Sequence, residues 1–369
     1  MEFGIFAPPE RRPWSNWTLG FDRDIEEIVY AEELGFDEYW IGEHHNIDWE
    51  TSPDPGYMIA KASAVTDRIK LGTGVVTMPI HDPVQTAERF AFLDHLTHGR
   101  LLPGVGTGAP PELALFDVSQ EGKRERMAEA TAIVQEFFTA DGPVSHDGRF
   151  FEFEDTQLQF RPYQRPHPPI SVAGSASPFS FELAVDEGYW PMSIYYSLLH
   201  AEGNPDVNGL VDQAEIMRNR TREQGKDPEQ FLGNWRIFRE VYVAETREQA
   251  LADIREGAEE TYIDYLRDEL GFADRIKRDD DMADEEVMVD YLVENTPWIV
   301  GSPEDCIRQI RELREAVGEF GSLVITSRRE WVSRQQWENS LDLFARYVMP
   351  AFQPEKTPLH REERSPGAD

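Results

Sequence analysis

The segment GFDEYWIGEHH, Gly35 to His45, decides how the rest of the chain is read. Before it, DRDIEEIVYAEEL carries apolar residues at helical spacing, and Gly35 stands where a glycine ends a helix. EYWI is short and apolar, as a strand buried on both faces should be. It stops on Glu43, His44 and His45. Helix, glycine, buried strand and then polar residues make one unit of a repeating β/α order.

Working outward, the same order recurs. Strands are expected at Phe3 to Ala7, Glu38 to Gly42, Lys70 to Val76, Leu101 to Gly106, Pro169 to Gly174, Pro191 to Tyr195, Trp235 to Ala244 and Gly321 to Thr326. Amphipathic helices separate them. Thr246 with Gln249 has a capping-box pattern, and Ser302 followed by Pro303 gives an N-cap with proline at the first helical position. Eight alternating units predict an α/β fold, a single-domain (β/α)8 TIM barrel over residues 1–353. Three connections exceed the usual length. After the fourth strand, VSHDGRFFEFEDTQLQFRP predicts an inserted hairpin turning at Asp147-Gly148; after the sixth and seventh, Tyr196 to Gly209 and Gly271 to Pro297 are candidate lids or ordinary excursions. The polar residues 354–369 are expected to form a disordered tail.

In such a barrel the site lies where the loops after the strands converge. His44 and His45 follow the second strand directly, and histidine exchanges protons near neutral pH. A polar loop with ordinary hydrogen bonds is the plain alternative. A metal centre is not expected, because adjacent histidines on an extended chain point opposite ways and no second ligand cluster is evident. After the third strand, LGTGVVTMPIHDP sets small residues where a planar ligand could approach the backbone; Gly72 and Gly74 also suit simple barrel curvature. GVGTGAPPE repeats the theme but runs into Pro110-Pro111, which excludes a dinucleotide fingerprint. In SVAGSASPFSFELA, Gly174, Ser175 and Ala176 lead to a helix capped by Ser177, a phosphate site by mechanism or a serine cap alone. Trp40, Trp190, Met192, Tyr195 and Tyr196 are candidates for an apolar pocket or for core.

Bulk composition narrows the function. The chain has 70 acidic and 36 basic residues, a formal net charge of −34, so nucleic acid and anionic membranes are not expected partners. The acidic residues are spread over amphipathic helices and lysine is scarce, which suits concentrated salt, where such charges are screened; a merely acidic mesophilic protein is the alternative. Cys306 is the sole cysteine, so no internal disulfide or CxxC site forms, and it is expected to pack on a helix. MEFGIFA enters a strand without a basic leader, so the cytoplasm is the expected compartment.

Together, GFDEYWIGEHH, LGTGVVTMPIHDPVQTAERFAFLDHLTHGR, VAGSASP, VGSPEDCIRQIRELREAVGEFG and DLFARYVMPAFQ resemble the bacterial luciferase-like flavin monooxygenases, including the limonene monooxygenase type, from Met1 to Gln353. The resemblance implies reduced flavin, usually FMN from a separate reductase, reacting with O2 to oxygenate a small apolar organic substrate. It makes His44 a catalytic base and Glu43 its neighbour at the flavin edge. Gly74 and Val75 match an unusual cis peptide beneath the flavin ring, and Gly174, Ser175, Ala176 and Ser177 match the phosphate segment. The luciferase α subunit has arginine where this chain has Thr107, and glutamate where it has Gly174. The phosphate grip must therefore differ, which leaves FAD or a deazaflavin open. A deazaflavin-dependent oxidoreductase and a non-catalytic partner subunit are the rival readings. A homodimer is the expected assembly.

Overall fold

The computed structural model describes residues 1–8, 10–175, 177–194, 205–269, 277, 281–295 and 298–353. Its strands are β1 Glu2–Ala7, β2 Glu38–Ile41, β3 Lys70–Thr73, β4 Val76–Thr77, β5 Leu101–Leu102, β6 Gly104–Gly106, β7 Val144–Asp147, β8 Glu152–Thr156, β9 Ser171–Gly174, β10 Trp190–Ser193, β11 Arg236–Val243, β12 Ile299–Gly301 and β13 Ser322–Thr326. Two expected strands are each interrupted. The third splits into β3 and β4 at the cis Gly74–Val75 peptide, and the fourth into β5 and β6 at Pro103, which has no N–H to give a ladder. The Thr73 hydroxyl spans the gap, donating to Gly104 O at 2.7 Å and accepting from Gly104 N at 2.8 Å.

Parallel pairing then runs β1, β2, β3 with β5, and β4 with β6, β9, β10, β11, β13 and back to β1. With β3–β4 and β5–β6 each counted as one barrel strand, the ring closes as a (β/α)8 TIM barrel. β12 adds to the end of β11. Helices start where the sequence signals them: Ser302 accepts from Asp305 N and Ser177 from Phe179 N, each with proline next. Cys306 is buried on the helix Pro303–Val317. Gln353 ties the last described residue to the first strand, its amide donating to Met1 O at 2.7 Å and Asp37 Oδ2 at 3.0 Å.

Alternation along the strands stacks the barrel interior in layers. At the bottom, Arg236 lies 3.4 Å from Glu38 and its guanidinium sits 3.8 Å from the Trp190 ring centroid. The middle is a buried apolar plug of Phe6, Trp40, Leu102, Met192, Phe238 and Val324, on which Val75, Ala173 and Ile194 rest half-buried. Trp40 and Met192 are therefore core and not pocket lining, and Trp190 faces the far end from the mouth. Tyr195 and Tyr196 lie outside the described residues.

Between β6 and β9 the chain forms the β7–β8 hairpin, but its loop is the four residues 148–151 and not a two-residue Asp147-Gly148 turn. Gly148 N donates to Phe151 O at 3.0 Å across the loop's base, and Glu129 Oε1 accepts from Phe150 N and Phe151 N, both at 3.0 Å. Most of 196–209, part of 271–297, and the tail 354–369 fall outside the described residues. No helix among the described residues is long and apolar enough to cross a membrane.

Candidate functional site

At the end of β2 the two imidazoles diverge, as alternation requires. His44 Nδ1 lies 2.9 Å from Glu112 Oε1 and 3.3 Å from Glu50 Oε2. His45 Nε2 lies 3.2 Å from Glu43 Oε1, and its ring packs edge-on against Phe116. Glu112 sits on the short helix Pro110–Leu115 with its Oε1 also accepting from His45 N at 3.0 Å and its Oε2 from Ala109 N at 3.1 Å. One buried carboxylate thus joins the loop after β2 to the loop after β6.

Glu43 makes a second tie. Its Oε1 is 2.9 Å from His81 Nε2 and accepts from Thr77 N at 3.3 Å, while its buried Oε2 has no partner among the described residues. Burial alone would raise the carboxyl's pKa, but the hydrogen bonds from His45 and His81 outweigh it and hold the group at about 2. Ligating atoms of Glu43, His45 and His81 lie within 4.8 Å of one another. They are joined by hydrogen bonds to the shared carboxylate, which tie the loops together; the expectation that no second ligand cluster exists is thereby corrected, since His81 from another loop completes a trio at ligand spacing.

Beyond Glu50 the charged cluster continues. Arg328, at the end of β13, pairs with Glu10 and, at 2.8 Å, with Glu240 of β11, which also accepts from the Tyr262 hydroxyl at 2.7 Å. Thr261 donates to Glu10 at 2.7 Å. Burial, Glu10 and Glu112 raise the pKa of Glu50 against the pull of His44. For His44, desolvation would lower the pKa; Glu50, Glu112 and Glu43 prevail and raise it from 6.5 to about 9.

From the third barrel strand round to β10 the mouth is apolar. The cis Gly74–Val75 peptide presents Val75, and with Ala173 and Ile194 it roofs the interior plug. Gly106 stands against it: a Cβ there would lie 2.6 Å from Val75 Cγ2. A backbone kept bare beside a half-buried apolar side chain is a bed for a flat ligand.

A family model for luciferase-like monooxygenases matches residues 1–319. The chain belongs to the luciferase-like monooxygenase family. 4-Hydroxyprotoasukamycin monooxygenase of Streptomyces nodosus subsp. asukaensis is 33% identical over 353 residues, which cover 95% of this chain and 92% of that one. Limonene 1,2-monooxygenase of Rhodococcus erythropolis is 31% identical over 359 residues, 95% of this chain and 87% of that one. Among solved structures, the oxygenating constituent of 3,6-diketocamphane monooxygenase from Pseudomonas putida, a type II Baeyer-Villiger monooxygenase in complex with FMN, superposes with a TM-score of 0.80 at 25% identity, over 95% of this chain and 98% of that one.

In this luciferase-like monooxygenase the candidate phosphate segment lies at the end of β9, with the third and fourth barrel strands between it and β2. Ser175 is exposed; Ser177 caps the helix Pro178–Glu187 by accepting from Phe179 N at 3.3 Å; Ala176 is outside the described residues. Thr107 follows β6 directly and is partly exposed. Gly174 has no room for a side chain, since a Cβ would lie 2.9 Å from the Phe181 ring. The Ser175 carbonyl accepts from Gln213 Nε2 at 2.5 Å, Gln213 Oε1 accepts from Ser193 Oγ at 2.6 Å, and Ser193 accepts from Trp235 Nε1 at 2.7 Å. A flavin fits these residues: a flat apolar bed for its ring and a capped helix N-terminus for its anionic end.

Sequence reading passed over Glu112, Glu50, Glu10, His81, Arg328 and Gln213. One local signal existed, since Glu112 falls three residues after the helix-preceding Ala109, where a glutamate can turn back onto the chain. The others are joined only in space.

Proposed function

We propose that the chain is the oxygenating component of a two-component monooxygenase that takes reduced FMN from a separate reductase and, with O2, oxygenates a small apolar organic substrate. The observation that carries this reading is the junction of two surfaces at neighbouring strand ends: the apolar bed of Val75, Ala173 and Ile194 backed by Gly106, and the histidine His44 held by Glu112. Bound reduced flavin supplies the electrons that activate oxygen. Val75 and Gly106 seat its ring, and Glu43 offers an acceptor at its edge. Thr107 and the Gly174, Ser175, Ala176 and Ser177 turn receive its phosphate. Phe6, Trp40, Met192 and Phe238 close the floor to water, and His44 handles one proton through Nε2. The FMN-bound neighbour, itself an oxygenating constituent, supports both the cofactor and the separate reductase.

The chain is further proposed to work as a homodimer in the cytoplasm of a halophile. Tyr57, Phe92, Leu96 and Phe160 are exposed along one groove of about 580 Å³, an apolar face that a second copy could cover. Its acidic surface is the reason for the salt assignment.

Titrating purified protein with reduced FMN and then adding O2 and candidate terpenoid or other apolar ketone and alkene substrates tests the central reading. Saturable binding, oxygen uptake and an oxygenated product support it. Binding of a deazaflavin with hydride transfer and no oxygen uptake would replace it with the oxidoreductase reading; binding of flavin without either reaction would make the chain a partner subunit.

A further inference from the structure

The resemblance assigns His44 as a base, but its surroundings suit the opposite task. Nδ1 faces two oxygens at once, Glu112 Oε1 at 2.9 Å and Glu50 Oε2 at 3.3 Å. An ionised carboxylate only accepts, so Nδ1 carries a hydrogen and Nε2 is left as the ring atom available to a ligand. Side-chain exposure is 1% for Glu112 and 13% for Glu50, against 27% for the ring between them. Desolvated carboxylates need a positive partner. Glu112 has His44 as its ion-pair partner, its remaining contacts being the uncharged Ala109 and His45 N–H groups. Arg328 acts on Glu50 through its charge without a direct ion pair, being paired with Glu10 and Glu240. Glu43, on the ring's own segment, is engaged by His45 and His81.

We infer that Glu112 and Glu50 are positioning residues that keep His44 as an imidazolium, so that the ring gives a hydrogen from Nε2 to an anionic oxygen at the barrel mouth instead of withdrawing a proton. The inference rests on the proposed assignment of His44 and reverses the direction of its proton. The raised pKa of the ring, about 9 against the opposition of desolvation and with Glu50 and Glu112 as the leading causes of the rise, agrees with it. Balance is simple: when Nε2 gives its proton, the anionic oxygen becomes a hydroxyl, His44 becomes neutral with its hydrogen on Nδ1, and solvent returns the proton before the next cycle.

The test is an NMR titration of ring-labelled histidine in the flavin-free protein, with the His44 signal identified by its loss in His44→Gln. His44 should remain charged through pH 8. Glu112→Gln keeps an acceptor oxygen for the chain but removes the charge, and Glu50→Gln does likewise; each should lower the midpoint by roughly 1 pH unit or more, as the loss of a close opposite charge does. Glu112→Asp should restore most of it. A His44 that is neutral at pH 7 in the parent protein, or a midpoint unmoved by both glutamine variants, overturns the inference. If Glu112→Gln does not fold, the parent titration and Glu50→Gln still decide. Turnover with reduced FMN should fall as pH rises through the His44 midpoint; a rise there would mark a base. A charged His44 in a protein that never consumes oxygen would defeat the proposed function and leave the titration result standing, so the two failures are distinct.

Discussion

Glu43 Oε1 and His81 Nε2 stand 2.9 Å apart, although 38 positions separate them along the chain. The contact joins the ends of β2 and β4 through a carboxylate whose pKa is held at about 2, below its usual 4.5 despite the burial that opposes this. A depressed folded-state pKa adds stability that is complete above the unfolded value and is lost as pH falls through the folded one. Urea unfolding of the parent should therefore lose stability between about pH 4.5 and 2, and Glu43→Gln should show a shallower slope over that window. Equal slopes would mean that the clamp is not ionised as described.

His44→Ala should keep the fold and most of the flavin affinity and lose turnover by about 10²- to 10⁴-fold, the range of a positioned proton-transfer group. His45→Ala, which breaks a tie to Glu43, should act on stability or flavin affinity first. Product formation with excess reduced flavin separates them; a His44→Ala enzyme turning over at the parent rate refutes the assignment.

A Cβ on Gly72 would lie 2.2 Å from Trp40 Cε3, and Trp40 is fully buried in the barrel plug. The indole has no exit, so Gly72→Ala should cost about 3 kcal/mol, the upper end of overpacking. Thermal or urea unfolding measures it, and an unchanged midpoint would show that the plug yields.

Ser175→Asp places a carboxylate at the exposed turn before the helix Pro178–Glu187. FMN affinity should fall roughly tenfold or more through charge repulsion, with riboflavin, which lacks the phosphate, nearly unaffected. Parallel losses for the two ligands in a fluorescence titration would place the phosphate elsewhere.

Diluting salt from molar to about 0.1 M lengthens the screening distance from roughly 3 to 10 Å. With a net charge of −34, the melting temperature should drop across that dilution. A flat or rising midpoint removes the halophile assignment.

The barrel was legible because each strand is a short apolar run between helices with clear caps, as at Ser177 and Ser302. What escaped had no local periodicity. β12 is three residues long and borrows its ladder from β11. The splitting of the third and fourth strands depends on one peptide geometry and one proline, which hydrophobic patterning does not register. Of the site, Glu43 and His44 were visible because they sit immediately after a strand; Glu112, Glu50, Arg328 and His81 come from other loops, and only the closed ring makes them neighbours.

The mouth of the barrel is unequal, ionic where Glu10, Glu50, Glu240 and Arg328 meet and hydrocarbon where Val75, Ala173 and Ile194 do. Change is tolerated differently on the two halves. Replacing Arg328 strands the buried carboxylates of Glu10 and Glu240, a loss of several kcal/mol by the general behaviour of such pairs. On the hydrocarbon half a methyl more or less alters only shape. Diversification of substrate range, whether by natural drift or in the laboratory, should therefore enter through positions 173 and 194, with Val75 kept for the flavin and the ionic half carried along as inherited scaffold.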